Sequence, residues 1–106
     1  MTSFHDRAKA AEAQFAREEM AFRVTARRNR LLGQWAATQM KLTPAEADAY
    51  ATSVVQADFE QSGDADVVRK IVGDMTAAGL DVNEAAVRTA LDEALVDARR
   101  QLIGAA

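Results

Sequence analysis

The chain has 106 residues, of which 27% are charged and 49% hydrophobic, with one proline, five glycines and no cysteine. That length closes one modest core, and the composition excludes a disordered chain, a disulfide scaffold and a thiolate metal site. The net charge of −3 is unevenly spread: residues 1–41 carry eight Lys/Arg against four Asp/Glu, and residues 42–106 carry five against twelve.

Alanine is abundant, and β-branched and aromatic residues are scarce. The expected class is therefore all-α. The first segment runs from Ser3 to Met40 without a proline, interrupted only by Gly33. Its propensity allows one unusually long helix, continuous or bent near Met20–Phe22. The apolar pattern changes along it. Residues 24–40 offer Val24, Leu31, Leu32, Trp35, Ala36 and Met40, a broad stripe able to join a core. Residues 4–22 offer only Phe4, Ala8, Ala11, Phe15 and Phe22, and alanine gains little from burial. Packing back onto the bundle and standing free are both open to this stretch.

Leu42-Thr43-Pro44-Ala45-Glu46 marks the next boundary. Thr43 is the N-cap, Pro44 fits the first helical position and Glu46 completes a capping box. The second helix carries Ala47, Ala51, Val54, Val55 and Phe59 at spacings of three and four, and stops at Ser62-Gly63. Asp64 is expected to cap a third helix bearing Val68, Ile71, Val72 and Met75, closed by Ala78-Gly79. Asp81-Val82-Asn83-Glu84 reads as a second capping box. The last helix presents Val87, Leu91, Ala94, Leu95, Ala98 and Leu102, has Glu84 and Arg88 as an outer i,i+4 pair, and ends at Gly104. The expected core is Leu31, Leu32, Trp35, Val54, Val55, Phe59, Val68, Ile71, Val87, Leu91 and Leu102.

The stretch ARRNRLLGQWAA, residues 26–37, poses the functional question. On a helix Arg27 and Arg30 share a side while Arg28 points elsewhere, so these arginines make no single flat basic face. They are read either as a salt-bridged side of a core helix or as an anion- or nucleotide-binding set of Arg27, Arg28 and Arg30. Gly33 is expected to admit a close neighbouring helix. Nucleic acid is disfavoured by the acidic remainder and the lack of interleaved aromatics.

No apolar run reaches the roughly 20 residues that cross a bilayer. The opening MTSFHDRAKAAEAQF lacks the apolar core of a secretory signal. His5 is the single histidine and has no second ligand, so no metal is expected. The acidic residues Asp58, Glu60, Asp64 and Asp66 lack EF-hand spacing and read as a capping turn. Ser3, Ser53 and Ser62 have no His/Asp framework, and the glycines form no phosphate loop. No catalytic residue and no cofactor are expected.

ARRNRLLGQWAA and AYATSVVQADFEQSGDADVVRKI (residues 49–71) closely resemble the zeta subunit family of alphaproteobacterial F-type ATP synthases, the ATPase inhibitor zeta subunits. TSFHDRAKAAEAQFAREEMAFRVTARRNRLLG resembles the N-terminus of that family. The resemblance spans essentially the whole chain, least distinctively from Gly79 onward. It implies a small four-helix bundle with an N-terminal inhibitory arm; the chain is expected to be a monomer, with a helical or partly disordered arm over residues 1–21 and the bundle over residues 22–106. It further implies that the arm enters an interface between subunits of the catalytic head beside the rotating central stalk, at the cytoplasmic face of the inner membrane. ATP hydrolysis is then blocked while synthesis is largely spared. On the arm, Phe4, Ala8, Ala11 and Phe15 have the spacing of groove anchors, and Asp6, Arg7, Lys9, Glu12 and Arg17 are placed to set register by charge.

Overall fold

The computed structural model describes residues 4–60 and 63–104. Four helices account for the fold of these residues: α1 (Phe4–Gln39), α2 (Pro44–Glu60), α3 (Asp64–Ala77) and α4 (Glu84–Ile103). No strand occurs among the described residues. The all-α bundle read from propensity is the observed class.

Three of the helix ends have a clear local cause. α1 stops in a Schellman turn: Leu42 N–H donates to the Ala37 carbonyl at 3.1 Å and Lys41 N–H to that of Thr38 at 3.1 Å. Lys41 takes the left-handed position, φ 59°, that glycine usually fills. α2 opens with the expected capping box. Thr43 N–H donates to Glu46 Oε1 at 2.9 Å, and Glu46 N–H donates to Thr43 Oγ1 at 3.2 Å. The Thr43 backbone N–H, then its hydroxyl, hold the Glu46 carboxyl below its ordinary range. α3 closes in a second Schellman turn through Gly79 at φ 87°, with Leu80 N–H donating to the Met75 carbonyl at 3.0 Å.

Two caps differ from the sequence reading. Asp64 is not the cap of α3 but its first helical residue; Gly63 precedes it without a side-chain cap bond. The carboxylate of Asp64 is taken instead by Arg28, 3.0 Å away. α4 begins two residues later than Asp81-Val82-Asn83-Glu84 suggests, because Asn83 is the N-cap. Its Oδ1 accepts from Ala86 N–H at 2.9 Å. Both Asp81 and Asn83 suit a cap, and spacing alone does not choose between them. Glu84 and Arg88 pair as expected.

The lower part of α1 is the spine. It packs chiefly on α2 and α4, and α3 closes the remaining side. The core is aliphatic and rich in alanine: Leu32, Ala36, Val54, Val67, Val68, Ile71, Met75, Val87, Ala90, Leu91 and Ala94. Of the expected core positions, Leu32, Val54, Val68, Ile71, Val87 and Leu91 are buried. Leu31, Trp35, Val55 and Leu102 are only half-buried, and the Phe59 side chain lies outside the described residues. The reason is rotational. The buried line of α1 runs through Val24, Arg28, Leu32 and Ala36, four residues apart, so Leu31 and Trp35 fall on its edge. Gly33 does admit a neighbour: a Cβ built there would sit 2.8 Å from Ala51 Cα and 3.2 Å from Val54 Cγ2 of α2.

Between α2 and α3 a small polar knot forms. Tyr50 Oη donates to Asp74 Oδ2 at 2.8 Å, Lys70 Nζ donates to the same oxygen at 3.0 Å, and the ammonium lies 5.3 Å from the Tyr50 ring centroid. Burial, then the hydrogen bond to Asp74 and its charge, push the Tyr50 hydroxyl well above its ordinary value.

Candidate functional site

α1 is one unbroken helix of 36 residues, about 54 Å at 1.5 Å per residue. Its first four turns lie beyond the bundle, and every residue from Phe4 to Glu19 is exposed. Met20 is half-buried, and Val24 is the first buried position. The molecule therefore measures 63 × 27 × 25 Å, with a radius of gyration of 17.1 Å against about 13 Å for a compact chain of this length.

The projecting helix leaves two aromatic rings in water, Phe4 at 86% and Phe15 at 68% exposure. At 100° per residue, Phe4, Ala8, Ala11 and Phe15 form one narrow stripe. Asp6, Arg7, Lys9, Glu12 and Arg17 are all exposed, as is His5. Asp6 lies in the first turn, where it complements the helix dipole. Gln14 Nε2 donates to Glu18 Oε1 at 3.2 Å, a local helix contact. Neither core nor neighbour accounts for the two phenylalanines.

The arginines of ARRNRLLGQWAA tie α1 to three different helices. Arg27 Nη1 donates to Gln101 Oε1 of α4 at 2.8 Å. Arg30 is ion-paired with Asp48 and donates to Thr52 Oγ1 at 3.4 Å, both on α2. Arg28 turns inward, with 6% exposure. Its Nε and Nη2 donate to Asn29 Oδ1 at 3.0 and 2.9 Å, and Nη2 also meets Asp64 at the start of α3. Asn29 is 1% exposed, and its Nδ2 has no hydrogen-bond partner. Arg27, Arg28 and Arg30 thus do not converge on one point: Arg28 and Arg30 are ion-paired, and Arg27 is hydrogen-bonded to a neutral side chain.

Arg27 and Arg30 do share a groove, with an arginine the sequence reading passed over. Arg23, Arg27 and Arg30 stand at i, i+4 and i+7, so one face of α1 is basic after all. They line a hollow of about 320 Å³ with Phe22, Val55 and Leu102. The spacing was the available signal; reading residues 26–37 as a unit left Arg23 outside it. Among the described residues, no cluster of three or more His, Asp or Glu is placed to hold a metal.

The comparisons with known proteins decide the family. The family model described as ATPase inhibitor subunit zeta matches residues 1–101.

The chain belongs to the ATPase inhibitor subunit zeta family.

A solved structure, described only as the solution NMR structure of a protein, is similar at 42% identity and a TM-score of 0.70. The match covers 79% of this chain and 95% of that one. No curated protein matches the chain. Membership supports an ATPase-inhibitory and regulatory role, exerted on ATP synthase. Among the described residues of this zeta-family chain, no helix is long and apolar enough to cross a membrane.

Proposed function

We propose that residues 1–21 are an inhibitory arm that enters a subunit interface of the F-type catalytic head beside the central stalk, and that residues 22–106 are its anchor. The observation that carries this reading is the bare helix from Phe4 to Glu19. It exposes two phenylalanines yet continues, without a break, the best-packed helix of the bundle.

The physics suits a wedge. An isolated helix of this length is marginal in water because nucleation is costly. Here the bundle supplies the nucleus, and the arm only propagates from it. A preformed helix loses less entropy on docking than a disordered segment does. Burying Phe4 and Phe15 contributes about 1.5–3 kcal/mol each. Asp6, Arg7, Lys9, Glu12 and Arg17 then fix the register. Inhibition by obstruction needs no catalytic residue. Rotation in one sense traps the rod and rotation in the other expels it, so hydrolysis stops while synthesis continues. One copy suffices, acting at the cytoplasmic face of the membrane where the head stands.

Phe15→Asp tests this through the rate of ATP hydrolysis by an isolated F-type head. The substitution leaves the bundle intact, since Phe15 touches no core. Inhibition is expected to weaken at least tenfold, roughly the loss of one buried ring. Full inhibition by Phe15→Asp would contradict the reading.

A further inference from the structure

The apolar stripe of the arm does not end with the arm. Phe22 lies 18 residues after Phe4, five full turns, and so on the same line about 27 Å away. It is 53% exposed and forms one wall of the groove that holds Arg23, Arg27 and Arg30. The seam therefore runs directly into a basic hollow on the bundle.

The charges of that hollow are uneven. Arg23 forms no ion pair or side-chain hydrogen bond among the described residues, Arg27 has the neutral Gln101 as its partner, and Arg30 alone meets a carboxylate, Asp48. Among the described residues, three guanidinium groups of this hollow meet one carboxylate. Behind Phe22 and Val55 a second hollow of about 210 Å³ is lined by Thr25, Asp58 and Asn29, and the Asn29 Nδ2 donor is unpartnered. The three guanidinium groups outnumber the carboxylates beside the two hollows, Asp48 and Asp58, and an apolar ring stands at the entrance.

We propose that the Phe22–Arg23–Arg27–Arg30 groove is a second docking site, which receives a carboxylate-bearing segment at the rim of the same catalytic head that takes the arm. This rests on the arm reading given above. The groove fits a protein better than a free anion because a guanidinium pair and an apolar contact lie side by side, in line with the seam that the head already covers. Seating the rim there fixes how deep the arm reaches, and the pairing is electrostatic, so it raises the association rate and weakens with salt.

The test uses the full chain and the isolated catalytic head, with binding measured from about 50 to about 300 mM salt. Arg23→Glu alters a side chain with no ion pair or side-chain hydrogen bond among the described residues, so the fold is kept; the Arg23→Glu/Arg27→Glu pair extends the series. The expected result is about tenfold weaker binding for the single variant at low salt and about a hundredfold for the pair, with a flattened salt dependence. Phe15→Asp should weaken binding but keep the wild-type salt dependence. If wild type binds and Arg23→Glu binds equally at every salt concentration, the groove assignment is overturned and the arm reading stands. If wild type does not bind the head at all, both fall. If ATP or inorganic phosphate shifts the amides of residues 23–30 and displaces the head, the groove is an anion site and the proposal is likewise overturned.

Discussion

Asn29 and Arg28 show how a charge enters a small core beside a polar partner. A guanidinium at 6% exposure is tolerable only if its donors are occupied, and Asn29 Oδ1 and Asp64 occupy them. Arg28→Ala would strip Asp64 and Asn29 of their partner, and should cost about 2 kcal/mol, read as a lower midpoint in urea unfolding. An unchanged midpoint would mean that the contact carries no stability. Two glycines give opposite predictions from one chemical change. Gly33→Ala drives a methyl into the α2 backbone and should destabilise by about 1–3 kcal/mol, whereas Gly73→Ala meets nothing within 4 Å and should stabilise by up to about 1 kcal/mol. Thermal melts of the two variants check the pair. Tyr50 is the single tyrosine, so absorbance of tyrosinate reports on it alone. Its hydroxyl is raised in the fold, so the folded state holds the proton more tightly. The resulting stability is complete below the unfolded value of about 10 and is lost as pH rises beyond it. Tyrosinate should appear only together with alkaline unfolding; reversible titration near pH 10 in the folded protein would contradict this.

At the scale of helices, the boundaries were legible where two independent signals met. Thr43-Pro44-Glu46 gave a cap, a first-turn proline and a reciprocal carboxylate, and α2 begins there. Asp81 and Asn83 offered the same cap chemistry two residues apart, and local spacing did not choose between them; the cap is Asn83. Asp64 had the residue type of a cap but was drawn away by Arg28, a partner 36 positions distant that no local pattern reveals. The rotational setting of α1 was misjudged for a related reason. Large side chains such as Leu31 and Trp35 marked the apparent core line, while the close approach at Gly33 and the alanines beside it turned the helix. Helicity of the projecting turns belongs to this scale too. Ala10→Gly with Ala13→Gly should reduce helix content by circular dichroism and leave the melting of the bundle unchanged, since residues 4–19 touch no core. A fall in the bundle's melting temperature would show that the arm packs on it.

For the whole molecule, α1 with 36 residues is longer than the helices it packs on, of 17, 14 and 20 residues, so the excess length projects. Composition and the polarity of residues 4–22 marked this stretch as a poor core former but left packing back and projection both open; the structure has it project. Resemblance, and then the family match over residues 1–101, supplied what it acts on. The basic side of the groove was legible as the i, i+4, i+7 spacing of Arg23, Arg27 and Arg30 on α1, whereas its walls Val55 and Leu102, from α2 and α4, were not.

The most direct test of the account is ATP hydrolysis by an alphaproteobacterial F-type head titrated with the full chain and with a chain lacking residues 1–19. The account predicts inhibition by the full chain, and binding without inhibition by the shortened one. Equal inhibition by both would contradict it, as would a full chain that binds the head and leaves hydrolysis untouched.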